Sequence, residues 1–511
     1  MPIVGTIIRS AIKLRSRIPE RNNYYKQQER QLRKLITKAE FTEFGKKYGF
    51  SKLLLEEDLI QKFRERVPIF DYQSIFDQWW HRTLKGEGNI CWPGKISYFA
   101  LSSGTSESAS KHLPVTKELI KTIHKGTLKQ VLSTKHFNFP KSQYEKEILF
   151  IGGSTNLKFN GTYFSGDLSG ITTGTQPRWF SNFTLPKRNI LSLESWESKL
   201  HEIVNNAKNW DVGFVCGVPA WILIVFERII KHYNVNTIHD IWPNLAVYVH
   251  GGVSIAPYKN SINKLCGKPI HYLDTYMASE GFIAYQERPN ENQAMRLLTD
   301  NKTYFEFVPF DEVNFDADGN LLPTAKAYNI GEVVENQEYA LLLSNTSGAW
   351  RYLIGDTIKF TDLTRCELII TGRTRHFLSL CGEHLSVDNM NMAVAKAAAD
   401  LGIEINEFCV VGLPHEGLFA HQWFIGTNQS ISEETLAKTI DEYLKVLNDD
   451  YKTEREHALK SVVVKVLPNQ TFIDFLASKN KLGGQSKFPR VLKGKNLNEW
   501  IAFLEREELL K

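Results

Sequence analysis

Residues 212–226 read VGFVCGVPAWILIVF, which is the most apolar stretch of the chain. A membrane-spanning helix needs roughly 20 apolar residues. This stretch is shorter, contains Pro219, and is followed directly by Glu227 and Arg228. It therefore predicts a buried strand followed by a helix, the repeating unit of α/β folds. We expect no stable insertion into a membrane.

Short β-rich runs recur on both sides of this stretch, with helical segments between them. Several are apolar at consecutive positions, as strands buried on both faces are. The mixture predicts an α/β domain with more than one sheet. The predicted strands lie at residues 147–151, 212–216, 245–250, 269–273, 303–308, 339–344 and 368–371.

The length of 511 residues predicts two or more domains. Residues 1 to about 90 have a mainly helical pattern, and the character of the sequence changes near residue 385. The later part combines three strand-like runs with an amphipathic helix ending near Leu447, for which Ser432 is a suitable N-cap. We expect a large N-terminal domain at 1–385 and a small α+β domain at 386–511.

The charge balance and the spacing of the cysteines indicate which partners and which kinds of site to expect. The net charge is +5, from 62 Lys and Arg against 57 Asp and Glu, so nothing suggests a nucleic-acid partner. The 6 cysteines include no CxxC pair, which favours reduced thiols over a zinc site or a disulfide framework.

The first residues, MPIVGTIIRSAIKLRSR, lack the continuous apolar core of a signal peptide. We therefore expect a cytoplasmic protein whose basic start forms a helix, lying either on its own protein or on a membrane surface.

A hydroxyl-rich run at residues 102–106 reads SSGTS and follows a β-rich segment. Such residues pack poorly in a core and suit a loop whose hydroxyls and N–H groups converge on an anion. Lys111 lies a few residues further on and would add positive charge. The run is not a Walker A loop, because no GxxxxGK[ST] is present, and a plain polar turn is an equal alternative.

A second segment, TYMASEG at residues 275–281, follows a strand predicted to end at Leu273. Tyr276 offers a face on which a base can stack, and Glu280 offers a carboxylate that can hold Mg²⁺ beside phosphates. Ligands of α/β proteins gather at such strand ends. The alternative is an ordinary exit from a strand, with Glu280 solvated.

A third segment reads WRYLIGD at residues 350–356 and precedes a Gly-Arg pair at 372–373. The carboxylate of Asp356 could accept hydrogen bonds from two ribose hydroxyls, and Arg373 could reach a ribose or a phosphate. The alternative is an Arg–Asp pair formed within the fold.

A fourth segment, GGQSKFPR at residues 483–490, carries two glycines that would let the backbone approach a ligand closely. Lys487 would then be delivered on a mobile loop. The alternative is a flexible surface loop with solvated lysines.

Taken together and in this order, the segments resemble the auxin-responsive acyl acid amido synthetase family. This family comprises plant hormone-conjugating enzymes and their bacterial relatives, within the adenylate-forming enzymes. The resemblance begins at WPGK (residues 92–95), continues through VHGGV (249–253) and GRTRHF (372–377), and ends at residues 483–490. It is closer to the bacterial relatives, and it implies a large adenylate-forming domain with several sheets and a small, mobile C-terminal domain.

The resemblance implies ATP and Mg²⁺ as cofactors and assigns a role to each segment. The hydroxyl loop would hold the ATP phosphates, Tyr276 would lie against adenine, and Asp356 would bind the ribose with Arg373 close by. Glu280 would sit near Mg²⁺, and Lys487 would meet the reacting carboxylate and the α-phosphate. The implied ATP-binding residues are Ser102, Ser103, Gly104, Thr105, Ser106, Gly251, Gly252, Thr275, Tyr276, Ser279, Asp356 and Arg373.

Two positions depart from the family pattern. Ser106 replaces the second Thr of a phosphate loop that often reads Ser-Ser-Gly-Thr-Thr, and a hydroxyl is retained. His384 stands where plant members tend to carry a lysine, which puts any lysine role at that position in doubt.

The implied reaction is the activation of a carboxylic acid as an acyl-adenylate, followed by transfer to an amine, with an amino acid expected. This would make the chain an AMP-forming ligase. Two alternatives stay open: transfer to a thiol such as coenzyme A, and a nucleotide-binding protein without turnover. A general base for the amine step would be His250 or His384. Two interpretations are open for four apolar residues: they line an apolar acid site, or they belong to the ordinary core, which is the default for bulky apolar side chains. These residues are Phe164, Trp179, Val218 and Trp221.

Overall fold

The computed structural model describes residues 23–510 except 103–110, 154, 177, 194, 253–254, 317–318, 375–376, 379, 382, 384, 416–417 and 480–487. Its described residues divide into two compact units. The first contains those of Met1–Ser102 and Lys111–Thr374, and the second those of Arg375–Lys511. No helix in the described ranges is both long and apolar enough to cross a membrane.

Several helices of the first unit begin where the sequence supplies a capping side chain. The side chain of Asn23 accepts a hydrogen bond from Lys26 N, and that of Thr116 accepts one from Leu119 N. Each such cap contributes about 1 kcal/mol. The helices are α1 (Tyr24–Ala39), α2 (Glu43–Lys47), α3 (Phe50–Leu53), α4 (Leu59–Arg66), α5 (Tyr72–Ile75), α6 (His81–Leu84), α7 (Lys117–Ser133), α8 (Leu168–Gly174), α9 (Arg178–Ser181), α10 (Arg188–Leu191), α11 (Trp196–Asn206), α12 (Pro219–Tyr233) and α13 (Ala256–Leu265).

The strands of the first unit form a small sheet, ordered β2-β1-β5-β4, and a large one. Among the described residues the large sheet has 11 strands, ordered β12-β13-β14-β15-β11-β10-β9-β8-β7-β3-β6. The strands are β1 (Tyr98–Ser102), β2 (Lys111–Val115), β3 (Glu147–Phe150), β4 (Lys158–Phe159), β5 (Phe164–Gly166), β6 (Thr184–Leu185), β7 (Val212–Cys216), β8 (Val247–Gly251), β9 (His271–Ala278), β10 (Gly281–Tyr285), β11 (Met295–Leu297), β12 (Thr303–Pro309), β13 (Glu338–Asn345), β14 (Tyr352–Asp362) and β15 (Glu367–Arg373).

The large sheet has a parallel half and an antiparallel half that share β9. Strands β6, β3, β7, β8 and β9 pair in parallel, and the strands from β9 to β12 pair antiparallel. The apolar stretch at 212–226 forms β7 and the start of α12, as predicted, with Pro219 as the first helical residue. Every strand predicted for this unit overlaps a strand of the large sheet.

One predicted strand end is wrong. The strand predicted to stop at Leu273 runs on to Ala278, so Tyr276 lies inside β9 and not in a loop after it. The reason is the partner strand: β10 turns back and pairs with β9 through Ala278 opposite Gly281 and Tyr276 opposite Ala284.

The N-terminal helices pack on the antiparallel half of the large sheet through aromatic side chains. Trp350 is fully buried, and its ring centroid lies 5.7 Å from that of Phe44 and 4.8 Å from that of Phe50. The neighbouring Arg351 is also buried and donates from Nε to Glu306 Oε2 at 3.0 Å. This core fixes the start of β14, the strand that carries Asp356.

The second unit is a smaller α+β structure. Ser432 caps α15 as predicted, since its side chain accepts a hydrogen bond from Thr435 N. Strand β19 pairs antiparallel with β18 and parallel with β20. The elements are β16 (Phe377–Leu378), β17 (Leu385–Ser386), α14 (Val387–Leu401), β18 (Glu407–His415), β19 (Leu418–Gly426), α15 (Glu433–Leu447), α16 (Asp449–His457), β20 (Leu459–Leu467), α17 (Asn469–Ser478) and α18 (Gly494–Arg506).

Candidate active site

Three side chains that are distant in sequence are in contact with one another: Tyr276 of β9, Asp356 of β14 and Arg373 of β15. The hydroxyl of Tyr276 donates to Asp356 Oδ2 at 2.6 Å, and Arg373 Nη1 lies 2.9 Å from Asp356 Oδ1. Asp356 and Arg373 are directly opposite each other in the antiparallel pair β14/β15. The structure therefore contains the Arg–Asp pair that the sequence left as an alternative, and it adds Tyr276 to it. We call these three residues the Asp356 cluster.

The cluster is held firmly by its surroundings. Tyr276 is only 4% exposed, and burial raises the pKa of its phenol well above the usual value, so the hydroxyl keeps its proton and donates it. Arg373 also donates to the carbonyl of Ile354 at 2.9 Å. Its side chain is 36% exposed, against 14% for Asp356. The guanidinium is thus the most accessible charge of the cluster, while the role of Tyr276 against adenine stays a prediction.

Gly355 is needed for this arrangement. Its φ of +86° lies in the left-handed region that side chains other than glycine rarely adopt. A Cβ there would also stand 3.2 Å from Arg373 Nη2. The glycine of the WRYLIGD segment therefore lets β14 bend beside the guanidinium.

Glu280 lies in the turn between β9 and β10. Burial raises the pKa of its carboxyl to about 7, and the negative charge of Asp356 acts in the same direction. Arg373 and Lys111 oppose this rise without cancelling it. Binding of a cation by this carboxyl would be favourable, because a positive ion would offset the repulsion from Asp356. The alternative of a fully solvated Glu280 does not fit this environment.

Two polar residues that the sequence reasoning missed hold this hairpin. Asn345, at the end of β13, donates from Nδ2 to the carbonyl of Glu280 at 2.7 Å, and Gln130 donates from Nε2 to Thr275 Oγ1 at 2.6 Å. Both are buried. A buried amide in an apolar strand or helix was the available signal, but its partner is not visible in the local sequence.

The glycines after β8 lie beside the same hairpin. Gly251 is opposite Thr275 in the parallel pair β8/β9, and a Cβ on Gly251 would approach the carbonyl oxygen of Thr275 closer than 3.0 Å. Gly252 has a φ of +84° and is exposed. These two glycines leave the carboxyl end of β8 without side chains, and their role beside a nucleotide stays a prediction.

His250 is buried in the strand immediately before these glycines. Its Nδ1 lies 3.4 Å from Asp274 Oδ1, and among the described residues neither ring nitrogen has a hydrogen-bond partner. Its side chain has no exposed surface. A proton could therefore pass from a substrate to this imidazole only after the strand ends moved, so its role as a general base stays a prediction.

The candidate acid-binding residues lie on two different sheets. Phe164 belongs to β5 of the small sheet, where its ring centroid lies 5.8 Å from that of Tyr98. Val218 caps α12 after β7 of the large sheet, and the ring of Trp221 lies 4.4 Å from that of Trp196. The side chain of Trp179 lies outside the described part of the structure.

Of the remaining predicted residues, Ser102 and Ser279 belong to the described part of the chain and the others do not. Ser102 ends β1 opposite Lys111 in β2, whereas Ser103, Gly104, Thr105, Ser106, His384 and Lys487 lie outside the described residues. Ser279 lies beside Glu280 in the hairpin turn. Within the described ranges no group of three or more His, Cys, Asp or Glu side chains could hold a metal ion.

The second unit contains a buried glutamate, Glu383, whose pKa is lowered, in contrast to that of Glu280. Glu383 is fully buried and receives hydrogen bonds from Leu380 N and Cys381 N, both at 2.9 Å, with His421 Nε2 at 3.0 Å from its Oε1. Burial alone would raise the pKa of this carboxyl. The hydrogen bond and charge of His421, with the backbone N–H groups, instead lower it to about 2. Glu383 is therefore ionised and fixes the segment between β16 and β17.

All three domains of one family match the chain in order. The GH3 family N-terminal domain matches residues 20–205, the central domain residues 296–369, and the C-terminal domain residues 388–496. The Asp356 of the cluster falls in the central domain, and Glu280 falls between the first two matches.

Curated relatives carry the same family name or related activities. The jasmonoyl–L-amino acid synthetase JAR4 of Nicotiana attenuata is 23% identical over 92% of each chain. The 4-substituted benzoates–glutamate ligase GH3.12 of Arabidopsis thaliana is 22% identical over 91% of this chain and 92% of that enzyme. The indole-3-acetic acid-amido synthetase GH3.4 of Arabidopsis thaliana is 25% identical, but the match spans 50% of this chain and only 45% of that enzyme.

Two solved structures share the fold across nearly the whole chain. The acyl acid amido synthetase AtGH3.15 in complex with 2,4-DB has a TM-score of 0.59 at 17% identity, covering 99% of this chain and 96% of that one. The 2-hydroxyisobutyryl-CoA ligase with its acyl-adenylate and coenzyme A has a TM-score of 0.58 at 13% identity, covering 96% and 93%. At these identities the likeness establishes the fold alone, and both a large and a smaller domain belong to it.

Proposed function

Because the chain belongs to the GH3 family, we propose that it is an AMP-forming ligase that activates a small carboxylic acid with ATP and transfers the acyl group to an amino acid. The observation that carries the proposal is the ordered match to all three family domains. Its curated relatives are named as synthetases of acyl–amino acid conjugates. The acid and the amino acid of this chain are to be identified by experiment.

The proposed chemistry has two steps. An oxygen of the acid attacks the α-phosphorus of ATP, a new P–O bond forms, and the bond to the β-phosphate breaks to release pyrophosphate. The nitrogen of the amine then attacks the acyl carbon, the C–O bond to AMP breaks, and the amine loses a proton. The first step brings two anions together, so positioning and positive charge are its main requirements.

The residues of the Asp356 cluster suit the nucleotide in this scheme. Asp356 would accept hydrogen bonds from ribose hydroxyls, and Arg373 would reach the ribose or a phosphate from its partly exposed position. The hydroxyl loop at 102–106 and Lys487 would bind the phosphates and the reacting carboxylate. These two assignments rest on the family resemblance of the sequence.

A magnesium ion fits Glu280 when ATP supplies the remaining ligands. Mg²⁺ is usually bound by one or two carboxylates together with substrate phosphates, and it needs no cage of protein side chains. The raised pKa of Glu280 indicates a carboxyl whose negative charge Arg373 and Lys111 do not fully offset. Bound there, the ion would neutralise phosphate charge, while Asn345 holds the hairpin that carries Glu280.

We assign the ATP and acid sites to residues 1–385 and a mobile role in catalysis to residues 386–511. We also place the protein in the cytoplasm, since its cysteines, all of which the structure describes, are free thiols. Small-molecule acids and amino acids are its proposed partners, with no role for nucleic acid.

ATP–pyrophosphate exchange tests the proposal. Purified protein with Mg²⁺ and a panel of aryl, indole and fatty acids should exchange label only with the cognate acid. Amino acids and coenzyme A are then added separately, and an amide or a thioester product decides between the two acceptors. Exchange with none of the acids, despite ATP binding, would leave a nucleotide-binding protein without turnover.

Lys487→Ala should lower exchange by about 10²–10³-fold while ATP affinity changes little, because this lysine would act on charge that develops in the transition state. Isothermal titration with ATP supplies the affinity. An exchange rate equal to that of the unchanged protein would remove Lys487 from the mechanism.

A further inference from the structure

The hydroxyl of Tyr276 is a polar group in an apolar environment. The residue belongs to the buried core of the first unit, together with Phe282 and Tyr285 of the neighbouring strand β10. A phenylalanine ring has the same shape, and a buried hydroxyl without a partner would be destabilising. The 2.6 Å hydrogen bond to Asp356 Oδ2 therefore accounts for the presence of a hydroxyl at this position.

Little of the Tyr276 ring is open to a ligand. A base can stack on an aromatic side chain only where a face of the ring is accessible. Tyr276 is 4% exposed, so protein atoms already cover nearly all of its surface. The structure therefore favours a role of the hydroxyl, acting through Asp356, over a role of the ring face.

Asp356 has acceptor capacity beyond its contacts with the cluster. A carboxylate offers about four lone-pair positions on its two oxygens. The Tyr276 hydroxyl donates to Oδ2, and Arg373 Nη1 lies beside Oδ1. The side chain of Asp356 also keeps some exposed surface. Each oxygen can therefore accept from a further donor, and the two adjacent hydroxyls of a ribose are such donors.

The two protein partners of Asp356 differ in how firmly they are held. Arg373 is the more exposed partner, and the proposed function directs its guanidinium towards a ribose or a phosphate. Tyr276 is buried, and its strand β9 is paired on both sides, with β8 and with β10. Tyr276 is therefore the partner that keeps its position against Asp356 when a nucleotide binds.

We propose that the Tyr276 hydroxyl is a positioning group for nucleotide recognition, an inference that rests on the proposed function. It orients the Asp356 carboxylate so that both oxygens meet the hydroxyls of the ribose. Tyr276 thereby sets the preference for ATP over nucleotides that lack these hydroxyls. Removal of the Tyr276 hydroxyl should reduce that preference, while contacts to the adenine and the phosphates persist.

The test compares the binding of ATP with that of 2′,3′-dideoxy-ATP, using the full-length protein. Tyr276→Phe keeps the ring and removes only the hydroxyl. Its affinity for ATP should fall by about 10-fold, the scale of a hydrogen bond to a charged group, whereas its affinity for dideoxy-ATP should stay within about twofold. Isothermal titration measures both affinities and requires no turnover.

Tyr272→Phe is the matched control. Tyr272 lies on the same strand, and its hydroxyl donates to Asn263 Oδ1 at 2.7 Å. This variant also loses one tyrosine hydrogen bond, but not one to Asp356. Its affinities for ATP and for dideoxy-ATP should equal those of the unchanged protein.

A double-mutant cycle shows whether the hydroxyl acts through Asp356. In an Asp356→Ala background, Tyr276→Phe should cause no further loss of ATP affinity. A further loss as large as that in the unchanged background would contradict the proposal. Should Tyr276→Phe fail to fold, Asp356→Glu moves the carboxylate by one methylene relative to the hydroxyl and keeps its charge. The same selective loss with ATP is then expected.

An equal loss with ATP and dideoxy-ATP in Tyr276→Phe would overturn the proposal and assign Tyr276 to adenine or to the fold. No loss with either nucleotide would overturn it as well. Failure of the proposed function is distinguishable from these results. Unchanged protein that binds ATP but exchanges no label with any acid would reject the ligase, while the two affinities would still decide the role of Tyr276.

Discussion

Glu280, which is partly buried, and Glu383, which is fully buried, are two glutamates whose pKa values shift in opposite directions. In the first unit the pKa of Glu280 is raised to about 7, because burial and the charge of Asp356 both disfavour its ionised form. In the second unit the pKa of Glu383 falls to about 2, despite deeper burial, because His421 and backbone N–H groups bind its carboxylate. The difference lies in the partners and not in the burial.

This contrast separates a structural acid from an acid suited to a ligand. Glu383 has its hydrogen bonds made within the protein, so nothing needs to bind there. Glu280 lies beside another negative charge, and a cation carried by a ligand would relieve that repulsion. The four variants or conditions below are ordered from the largest expected effect to the smallest.

Glu280→Gln should reduce acid-dependent pyrophosphate exchange by about 10²–10³-fold, because the variant loses the charge proposed to hold Mg²⁺. The thermal midpoint should stay the same or rise. Exchange is measured over a titration of Mg²⁺, with the exposed Glu291→Gln as control. Normal exchange at limiting Mg²⁺ would show that the metal binds elsewhere. Glu280 would then not be an acid that binds a ligand's cation.

Glu383→Gln should destabilise the protein by about 3 kcal/mol, since the variant loses the buried carboxylate to which Leu380 N, Cys381 N and His421 are hydrogen-bonded. Chemical denaturation of the full chain measures the free energy of unfolding. Glu442→Gln, on the exposed face of α15, is the control. A loss below about 0.5 kcal/mol would mean that Glu383 is not the structural acid described above.

Asp356→Ala should weaken ATP binding by about 10–100-fold, through the loss of its hydrogen bonds to the ribose. It should also lower the pKa of Glu280, because the charge of Asp356 is one of the causes that raise it. Calorimetry at several pH values measures both effects, with Asp362→Ala on the same strand as control. Unchanged ATP affinity would reduce Asp356 to a structural partner of Arg373.

The two acids should also give the protein opposite responses to pH. The folded pKa of Glu280 is raised, so its contribution is present below about pH 4.5 and is lost as the pH rises through 7. The folded pKa of Glu383 is depressed, so its contribution is present above about pH 4.5 and is lost as the pH falls towards 2. Each change should be about 1–2 kcal/mol, below the full shift because Glu280 is only partly buried.

Unfolding curves from pH 2 to 8 measure these responses. The Glu280→Gln variant should flatten the curve between pH 5 and 8, and Glu383→Gln should flatten it below pH 4. If Glu280→Gln instead flattened the curve below pH 4, or Glu383→Gln flattened it between pH 5 and 8, the roles assigned to the two acids would be wrong.

The sequence by itself determined the local structure and the family. The apolar run at 212–226 specified a strand and a helix because its length and Pro219 left few other solutions. Ser432 marked a helix start because an N-cap is satisfied within a few residues. The order of short segments along the chain was enough to identify the family resemblance, since each segment is read without knowing its neighbours in space.

The tertiary structure decided which side chains of those segments meet. Within WRYLIGD, Trp350 and Arg351 are buried in the core, while Asp356 forms the cluster. Tyr276 reaches Asp356 from 80 residues away, and Asn345 reaches Glu280 from 65. Such partners are set by strand register and by the return of β10 along β9. These are long-range pairings, and no local periodicity in the sequence records them.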